Sequence, residues 1–178
     1  MLYSRILAID VRSQSFGFAA LEEPNMLLDY GRKSYLARDA RDVTEIVHKK
    51  IGALLDFFTP STIVLKGQCN RNGQHHLNRQ KVFKVITREA SVRSVEVIRL
   101  QRADIDRAFR QSGNFSKYKI AGLIVQRFPE LAWKLPAKRK NWQPEHYNMT
   151  IFDAASLALA YLARAENLSP AERRESPS

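Results

Sequence analysis

The 178-residue chain contains a single cysteine, Cys69. This scarcity excludes an internal disulfide framework and any zinc site built from several cysteines. Long apolar runs are also missing, since no stretch approaches the roughly 18 residues that a membrane span requires. The N-terminus lacks the charged start, apolar core and cleavage site of a signal peptide. We therefore expect a cytoplasmic protein that makes no use of a membrane.

The composition is otherwise that of a globular protein. Hydrophobic residues make up 44% of the chain and charged residues 26%, which argues against disorder and against a fibrous repeat. The length suits one hydrophobic core, and neither an internal repeat nor a linker divides it. We predict one domain over residues 1–167. Residues 168–178 are rich in Ser, Pro and Glu, and we expect this tail to be disordered.

Positive charge is concentrated in the middle of the chain. The whole sequence carries a formal net charge of +11. Residues 66–140 contain 18 basic and 5 acidic side chains, a net charge of +13, whereas residues 1–65 are balanced at 8 of each. Such a segment is typical of a surface that faces a polyanion, because each neutralised phosphate releases condensed counterions. A surface for an acidic protein partner is the alternative interpretation.

Hydrophobic periodicity predicts an α/β fold with a mixed five-stranded sheet flanked by helices. An antiparallel meander of three strands comes first, and helices then alternate with strands. The predicted strands are 5–10, 16–22, 26–35, 61–65 and 95–100, and the predicted helices are 42–58, 77–91, 104–110, 116–128 and 153–165. In such sheets functional residues gather at the carboxyl ends of parallel strands. Asp10 and Lys66 stand at two such ends.

Three segments resemble RuvC-type Holliday junction resolvases of the ribonuclease H-like superfamily. The run Ile-Leu-Ala-Ile-Asp at 6–10 is similar to that family's first strand and its catalytic aspartate. Residues 117–128, a basic and then aliphatic helix, resemble its Ser-Lys helix. Residues 153–160, Asp-Ala-Ala-Ser-Leu-Ala-Leu-Ala, resemble its closing helix with the last catalytic acid. The resemblance extends over residues 4–166.

The resemblance implies a homodimeric, metal-dependent endonuclease that acts on branched DNA. In that family four carboxylates hold two divalent cations, Mg²⁺ or Mn²⁺, which prefer hard oxygen ligands. Asp10 and Asp153 match the first and last acids, which makes them the candidate catalytic and metal-binding residues. Lysine occupies position 66, where the second acid is expected, and Thr150 occupies the position of the third. We expect Lys66 to pair with Asp10 in place of a metal.

Two further groups bear on the site. Glu145 or His146, in the loop before the last helix, is a possible substitute acid or ligand. Arg12 follows the first acid where the family has Pro-Gly, and an arginine there suits a phosphate better than a metal. Each acid also has an ordinary structural interpretation, in which Asp10 caps a turn and Asp153 is the N-cap of its helix.

These observations favour a RuvC-like protein that binds branched or structured DNA and has a degenerate nuclease centre. Its phosphate contacts are predicted at Arg12, Lys66, Arg71, Arg79, Lys81, Lys84, Arg88, Lys117, Lys119, Lys138, Arg139 and Lys140. Trp133 and Trp142 flank the last three and are candidates for stacking on bases. The alternative is an active endonuclease that uses Asp10, Asp153 and a substitute acid. A sugar-kinase or actin-like ATPase is disfavoured because residues 10–14 lack a phosphate-binding glycine.

Overall fold

The computed structural model describes residues 4–36, 40–67, 74–110, 116–140 and 142–167, without the side chains of 40–42, 74–76 and 167. Arg71, Cys69 and the predicted tail therefore lie outside the described residues. Among the residues described, every helix is too short or too polar to cross a lipid bilayer.

A mixed sheet of five strands forms the centre of the protein. The strands are β1 (Arg5–Val11), β2 (Ser15–Glu22), β3 (Met26–Ser34), β4 (Thr62–Lys66) and β5 (Glu96–Leu100), in the spatial order β3-β2-β1-β4-β5. The first three form the predicted antiparallel meander, and β1 pairs parallel with β4, which pairs parallel with β5. The carboxyl ends of β1 and β4 thus meet at one edge of the sheet.

In the described ranges, five α-helices cover the sheet. They are α1 (Ala40–Phe58), α2 (Gln74–Val92), α3 (Arg102–Ala108), α4 (Lys117–Arg127) and α5 (Met149–Asn167). Ser116 caps α4 as its side chain accepts a hydrogen bond from Lys119 N at 3.2 Å. A 3₁₀ helix, Pro129–Lys134, follows α4.

The start of α5 corrects one interpretation of Asp153. The helix begins at Met149, four residues before the predicted start, so Asp153 lies in its second turn and is not an N-cap. Tertiary packing explains the earlier start, because Met149, Ile151 and Phe152 are all buried in the core and burial overrides the weak local propensity.

Side chains of β1 alternate between two hydrophobic cores. Ile6 and Ala8 face the core formed with α3, α4 and α5, while Leu7 and Ile9 face the core formed with α1 and α2. Because strand side chains alternate with a period of two, Asp10 belongs to the first set. This periodicity directs Asp10 toward α5, the helix that carries Asp153.

Candidate functional site

The Arg12 side chain joins three carboxylates at the carboxyl end of β1. Its Nε donates to Asp10 Oδ2 at 2.6 Å, and its Nη1 donates to Glu145 Oε2 at 2.8 Å. Its Nη2 donates to Asp153 Oδ2. A guanidinium carries five N–H donors in a planar fork, so one arginine can bind several acids at once. We call Asp10, Arg12, Lys117, Glu145 and Asp153 the ion cluster.

Lys117 is the second cation of the ion cluster. Its Nζ lies 2.8 Å from Asp153 Oδ2 and 2.9 Å from Glu145 Oε1. Ser116 sets the start of α4 and so brings Lys117 to this edge of the sheet. Glu145 and Asp153 therefore each bind both cations, and the five side chains form a closed network.

Asp10 is the most buried member, with 2% of its side chain exposed. Besides Arg12 it accepts a hydrogen bond from Thr150 Oγ1 at 3.0 Å. Gly17 lies opposite Asp10 on β2, and a Cβ there would be 2.3 Å from the Thr150 carbonyl oxygen. The absence of a side chain at Gly17 lets the first turn of α5 approach the sheet closely enough to make this hydrogen bond.

Tyr35 holds the backbone beneath Arg12. It is fully buried, and its hydroxyl donates to the Arg12 carbonyl oxygen. Burial raises the pKa of Tyr35 well above its usual range, and Asp10 raises it further, while Arg79 acts in the opposite direction. The phenol therefore remains protonated and available as a donor. Nothing in the sequence singled out this residue, because its contact depends on the end of β3 returning to residue 12.

Charge and burial act against each other in the cluster. Burial lowers the pKa of Arg12, but the attraction of the three carboxylates outweighs it and the net pKa is raised. Burial also opposes ionisation of Glu145, yet its hydrogen bond and attraction to Lys117, with help from Arg12, lower its pKa. Arg12 and Glu145 are therefore both charged at neutral pH.

Asp153 shows the opposite balance. Burial and the repulsion of Asp10 raise its pKa, and the attraction of Lys117 and Arg12 only partly offsets this effect. Two carboxylates that share Arg12 are close enough to repel one another. The ion cluster as a whole contains three acids and two cations, so its excess of negative charge is small.

Lys66 does not pair with Asp10, contrary to the expectation from sequence. Within the described part of the chain Lys66 makes no ion pair, and the cation bound to Asp10 is Arg12. Lys66 instead lines a cavity of about 10 Å³ beside Asp153 and Lys117, which is large enough for roughly one water molecule. The reason for the difference is that Arg12 already satisfies the Asp10 carboxylate.

The donor set does not suit the pair of divalent cations that the resemblance implies. Two of the four expected acids are replaced by Lys66 and Thr150, and the remaining carboxylates already bind Arg12 and Lys117. Three negative and two positive charges leave about one unit of net negative charge, too little to bind two dications. No group of three or more potential ligands in the described ranges has a metal-binding arrangement.

The other predicted phosphate contacts fall into two groups. Lys84, Arg88, Lys119, Lys138, Arg139 and Lys140 are exposed, whereas Lys66, Arg79 and Lys81 are half-buried. Arg79 Nε is buried, and no residue that the structure describes forms a hydrogen bond with it. Arg12 and Lys117, which the sequence suggested for phosphates, bind carboxylates of the protein itself. Trp133 and Trp142 are both exposed.

The mixed five-stranded sheet, its strand order and its flanking helices are those of a ribonuclease H-like α/β fold. Three solved structures that are similar to this chain identify the fold more closely as RuvC-like. Thermus thermophilus RuvC in complex with a Holliday junction substrate has a TM-score of 0.71 at 14% identity, over 92% of this chain and 95% of that one. A second Thermus thermophilus RuvC structure has a TM-score of 0.69 at 14% identity, over 91% and 95%.

The third structure, the yeast mitochondrial Holliday junction resolvase Ydc2, has a TM-score of 0.62 at 12% identity, over 90% of this chain and 78% of that one. The prediction of a RuvC-like, ribonuclease H-like fold is confirmed by these likenesses. No protein-family model matches the sequence, and no curated protein matches it either.

Proposed function

We propose that this chain is a RuvC-fold protein that binds branched or structured DNA, and that its ion cluster is a structural element in place of a metal-dependent nuclease centre. The observation that carries the proposal is the bonding of Arg12 to Asp10, Glu145 and Asp153 together. In this proposal the Arg12 guanidinium binds the acids that would bind metal ions in a resolvase. The chain then keeps the fold but lacks free carboxylates for a catalytic metal site.

Exposed cations supply the binding surface. On α2, Lys84 and Arg88 line an open groove of about 690 Å³ together with Arg99 of β5. Near the ion cluster, Lys138, Arg139 and Lys140 form a second exposed group. Contacts from such side chains go to phosphates, so we expect affinity without sequence preference. The resolvase named above in complex with a Holliday junction supports branched DNA as the ligand.

Fluorescence anisotropy with a four-way junction and a linear duplex of the same arm sequence tests the binding. We expect the junction to bind more tightly and the logarithm of its affinity to fall linearly with the logarithm of salt, by about 0.9 for each phosphate contacted. The variant Lys84→Gln/Arg88→Gln should reduce the salt slope by about 2, one unit for each lost contact.

A control variant makes the same change of net charge at two residues on α1 and α5. Lys49→Gln/Arg164→Gln removes two exposed cations outside the basic middle segment, and its salt slope should equal that of the unmodified protein. An affinity that does not change between low and high salt would contradict the proposal. Equal salt slopes for the two double variants would show that Lys84 and Arg88 of α2 do not contact the DNA.

A metal-dependent junction endonuclease is the second candidate, because one observation favours it. Glu145 lies in the ion cluster with Asp10 and Asp153, so a third carboxylate is present. Incubation of junction, flap and duplex DNA with the protein and Mg²⁺ or Mn²⁺ separates the two candidates. Cleavage that disappears in Asp10→Asn would establish the nuclease, whereas binding without cleavage supports the first proposal.

The proposed assembly is a homodimer, which is the state implied by the family resemblance. Light scattering of the protein, alone and with one equivalent of junction, measures it directly. A mass of two chains supports the proposal, and a monomer in both samples would contradict it.

A further inference from the structure

A cavity beside the ion cluster has a volume, ring-bearing walls and cations at its rim that suit one nucleotide. Its volume is about 280 Å³, close to the lower end of small-molecule sites, which begins at about 300 Å³. Its walls include Tyr118, Pro136, His146 and Met149. We call it the His146 pocket.

The His146 ring is held in place before any ligand arrives. It stacks on the Tyr147 ring with 4.2 Å between ring centroids and 29° between planes, and the backbone N–H of Asn148 donates to its Nδ1 at 3.2 Å. The Arg32 guanidinium lies 5.3 Å from the Tyr147 ring centroid. Arg32 and His146 thus both contact the Tyr147 ring, and His146 also lines the pocket.

Two cations of the pocket rim are available for a phosphate. Lys138 and Arg139 are exposed, and no carboxylate of the described residues pairs with either. Arg139 Nη1 donates to the Gln143 carbonyl oxygen at 2.6 Å, which fixes the side chain and uses only part of the five N–H donors of the guanidinium. The acid at the rim, Glu145, is already bound by Arg12 and Lys117, so its charge is compensated.

We propose that the His146 pocket receives one unpaired nucleotide of bound DNA. The base stacks against His146, whose ring Tyr147 holds in place, and the phosphate binds between Lys138 and Arg139. This inference rests on the proposed DNA-binding function and adds to it a preference for unpaired positions. Aromatic rings stack on any base, so the preference is for an extruded nucleotide and not for a sequence.

Duplexes with a one-nucleotide bulge provide the test. The first carries an unpaired thymidine, the second carries an abasic residue at the same position, and the third is a perfect duplex. The two bulged duplexes have the same number of phosphates, so a difference between them reports the base alone. We expect the thymidine bulge to bind about tenfold more tightly than the abasic bulge, the ratio that corresponds to one stacked base.

Two variants separate the base from the phosphate. His146→Ala should abolish the tenfold ratio, whereas Lys138→Ala/Arg139→Ala should weaken both bulged duplexes and preserve the ratio. Phe57→Ala is the control for loss of an exposed aromatic, because Phe57 is 76% exposed and lies in the last turn of α1, the helix on the opposite face of the sheet from α5. Its binding should equal that of the unmodified protein. A bulged 2-aminopurine should lose fluorescence on binding, and this change should disappear in His146→Ala.

Free thymidine monophosphate distinguishes a pocket for strands from a pocket for mononucleotides. We expect it to compete with the bulged duplex only at concentrations at least 100-fold above those of the oligonucleotide, because strand contacts are absent. Equal competition, or equal binding of thymidine and abasic bulges, would overturn the inference while leaving DNA binding intact. Failure to bind the junction and all three duplexes would overturn the proposed function as well.

Discussion

Arg12 Nε donates a hydrogen bond to Asp10 Oδ2 at 2.6 Å, and the two residues are separated by one position at the end of β1. The alternation of side chains at the end of β1 and just beyond it directs both toward the start of α5. There Glu145, from the preceding loop, and Asp153, from the helix, bind the rest of the guanidinium. The Asp10 carboxylate is therefore bound by the second residue after it in the chain. Removing either partner should have large and different effects.

Arg12→Ala should destabilise the protein by about 3 kcal/mol, because it leaves the buried Asp10 carboxylate without its cation. Arg107→Ala is the control. Arg107 pairs with Asp104 at 3.5 Å on an exposed face of α3, and loss of an exposed pair costs less than about 1 kcal/mol. Urea denaturation at pH 7 measures both free energies of unfolding.

The double variant Asp10→Asn/Arg12→Ala should be more stable than Arg12→Ala alone, because the unpaired buried charge is removed with its partner. If the double variant loses the sum of the two single effects, Arg12 does not act through Asp10 and the structural interpretation of the ion cluster is wrong.

A second prediction concerns divalent cations. The unmodified protein should show no change of melting temperature with Mn²⁺, since two internal cations already bind the acids. Arg12→Gln/Lys117→Met leaves three converging carboxylates, and Mn²⁺ should raise its melting temperature. Ligand at about 100 times its Kd adds about 2.7 kcal/mol to the free energy of unfolding.

The control for this measurement is Arg107→Gln/Lys119→Met, which removes an arginine and an α4 lysine that lie outside the ion cluster. This variant should respond to Mn²⁺ as the unmodified protein does. A melting temperature of the unmodified protein that rises with Mn²⁺ would contradict the assignment of Arg12 and Lys117 as the resident cations.

Local patterns predicted most of the fold. The short apolar run that ends at Asp10 predicted β1, which is buried on both faces, and the helical spacing from Asp42 to Phe58 predicted α1, which buries one face against the sheet. The start of α5 was placed too late, at Asp153, because Met149, Ile151 and Phe152 are set by packing against other helices and not by a local cap.

The ion cluster was harder to predict from the sequence than the fold. Arg12 and Glu145 are 133 positions apart, and no local pattern pairs residues at that separation. The net charge of the segment 66–140 favoured phosphate as the partner of Lys117, and the position of Arg12 just after Asp10 favoured phosphate there too, so both cations were assigned to DNA. Asp10 and Asp153 were found because the strand end and the helix carry recognisable motifs, whereas Tyr35 contributes only through the path of β3.

The acid side of the stability profile should depend on Glu145. Its pKa is lowered from an ordinary value of 4.5, so below that pH the unfolded chain binds more protons than the native protein. Ionised Glu145 therefore stabilises the protein above pH 4.5, and this contribution is lost as the pH falls through the native pKa. Glu145→Gln should make the loss of stability on acidification less steep.

Asp153 should act in the opposite direction. Its pKa is raised from 3.8, so above that pH the native protein binds more protons than the unfolded chain, and this group gains stability as the pH falls. Asp153→Asn should make the loss on acidification steeper. Denaturation of both variants at a series of pH values from about 6 to about 3 checks the pair, and slopes that change in the same direction would contradict the assigned pKa shifts.

The approach of α5 to the sheet predicts opposite results at two glycines. Gly17→Ala would bring a Cβ to 2.3 Å from the Thr150 carbonyl oxygen and 2.7 Å from its Oγ1. The helix must move away, which weakens the Thr150–Asp10 hydrogen bond, and such overpacking costs about 1–3 kcal/mol.

Gly122 lies inside α4, and among the described residues no atom outside its own helical turns lies within 4 Å of the place a methyl group would take. Gly122→Ala should therefore stabilise the protein by about 1 kcal/mol through helix propensity alone. Chemical denaturation of the two variants compares them directly, and a neutral Gly17→Ala would mean that Thr150 does not pack against β2 as described.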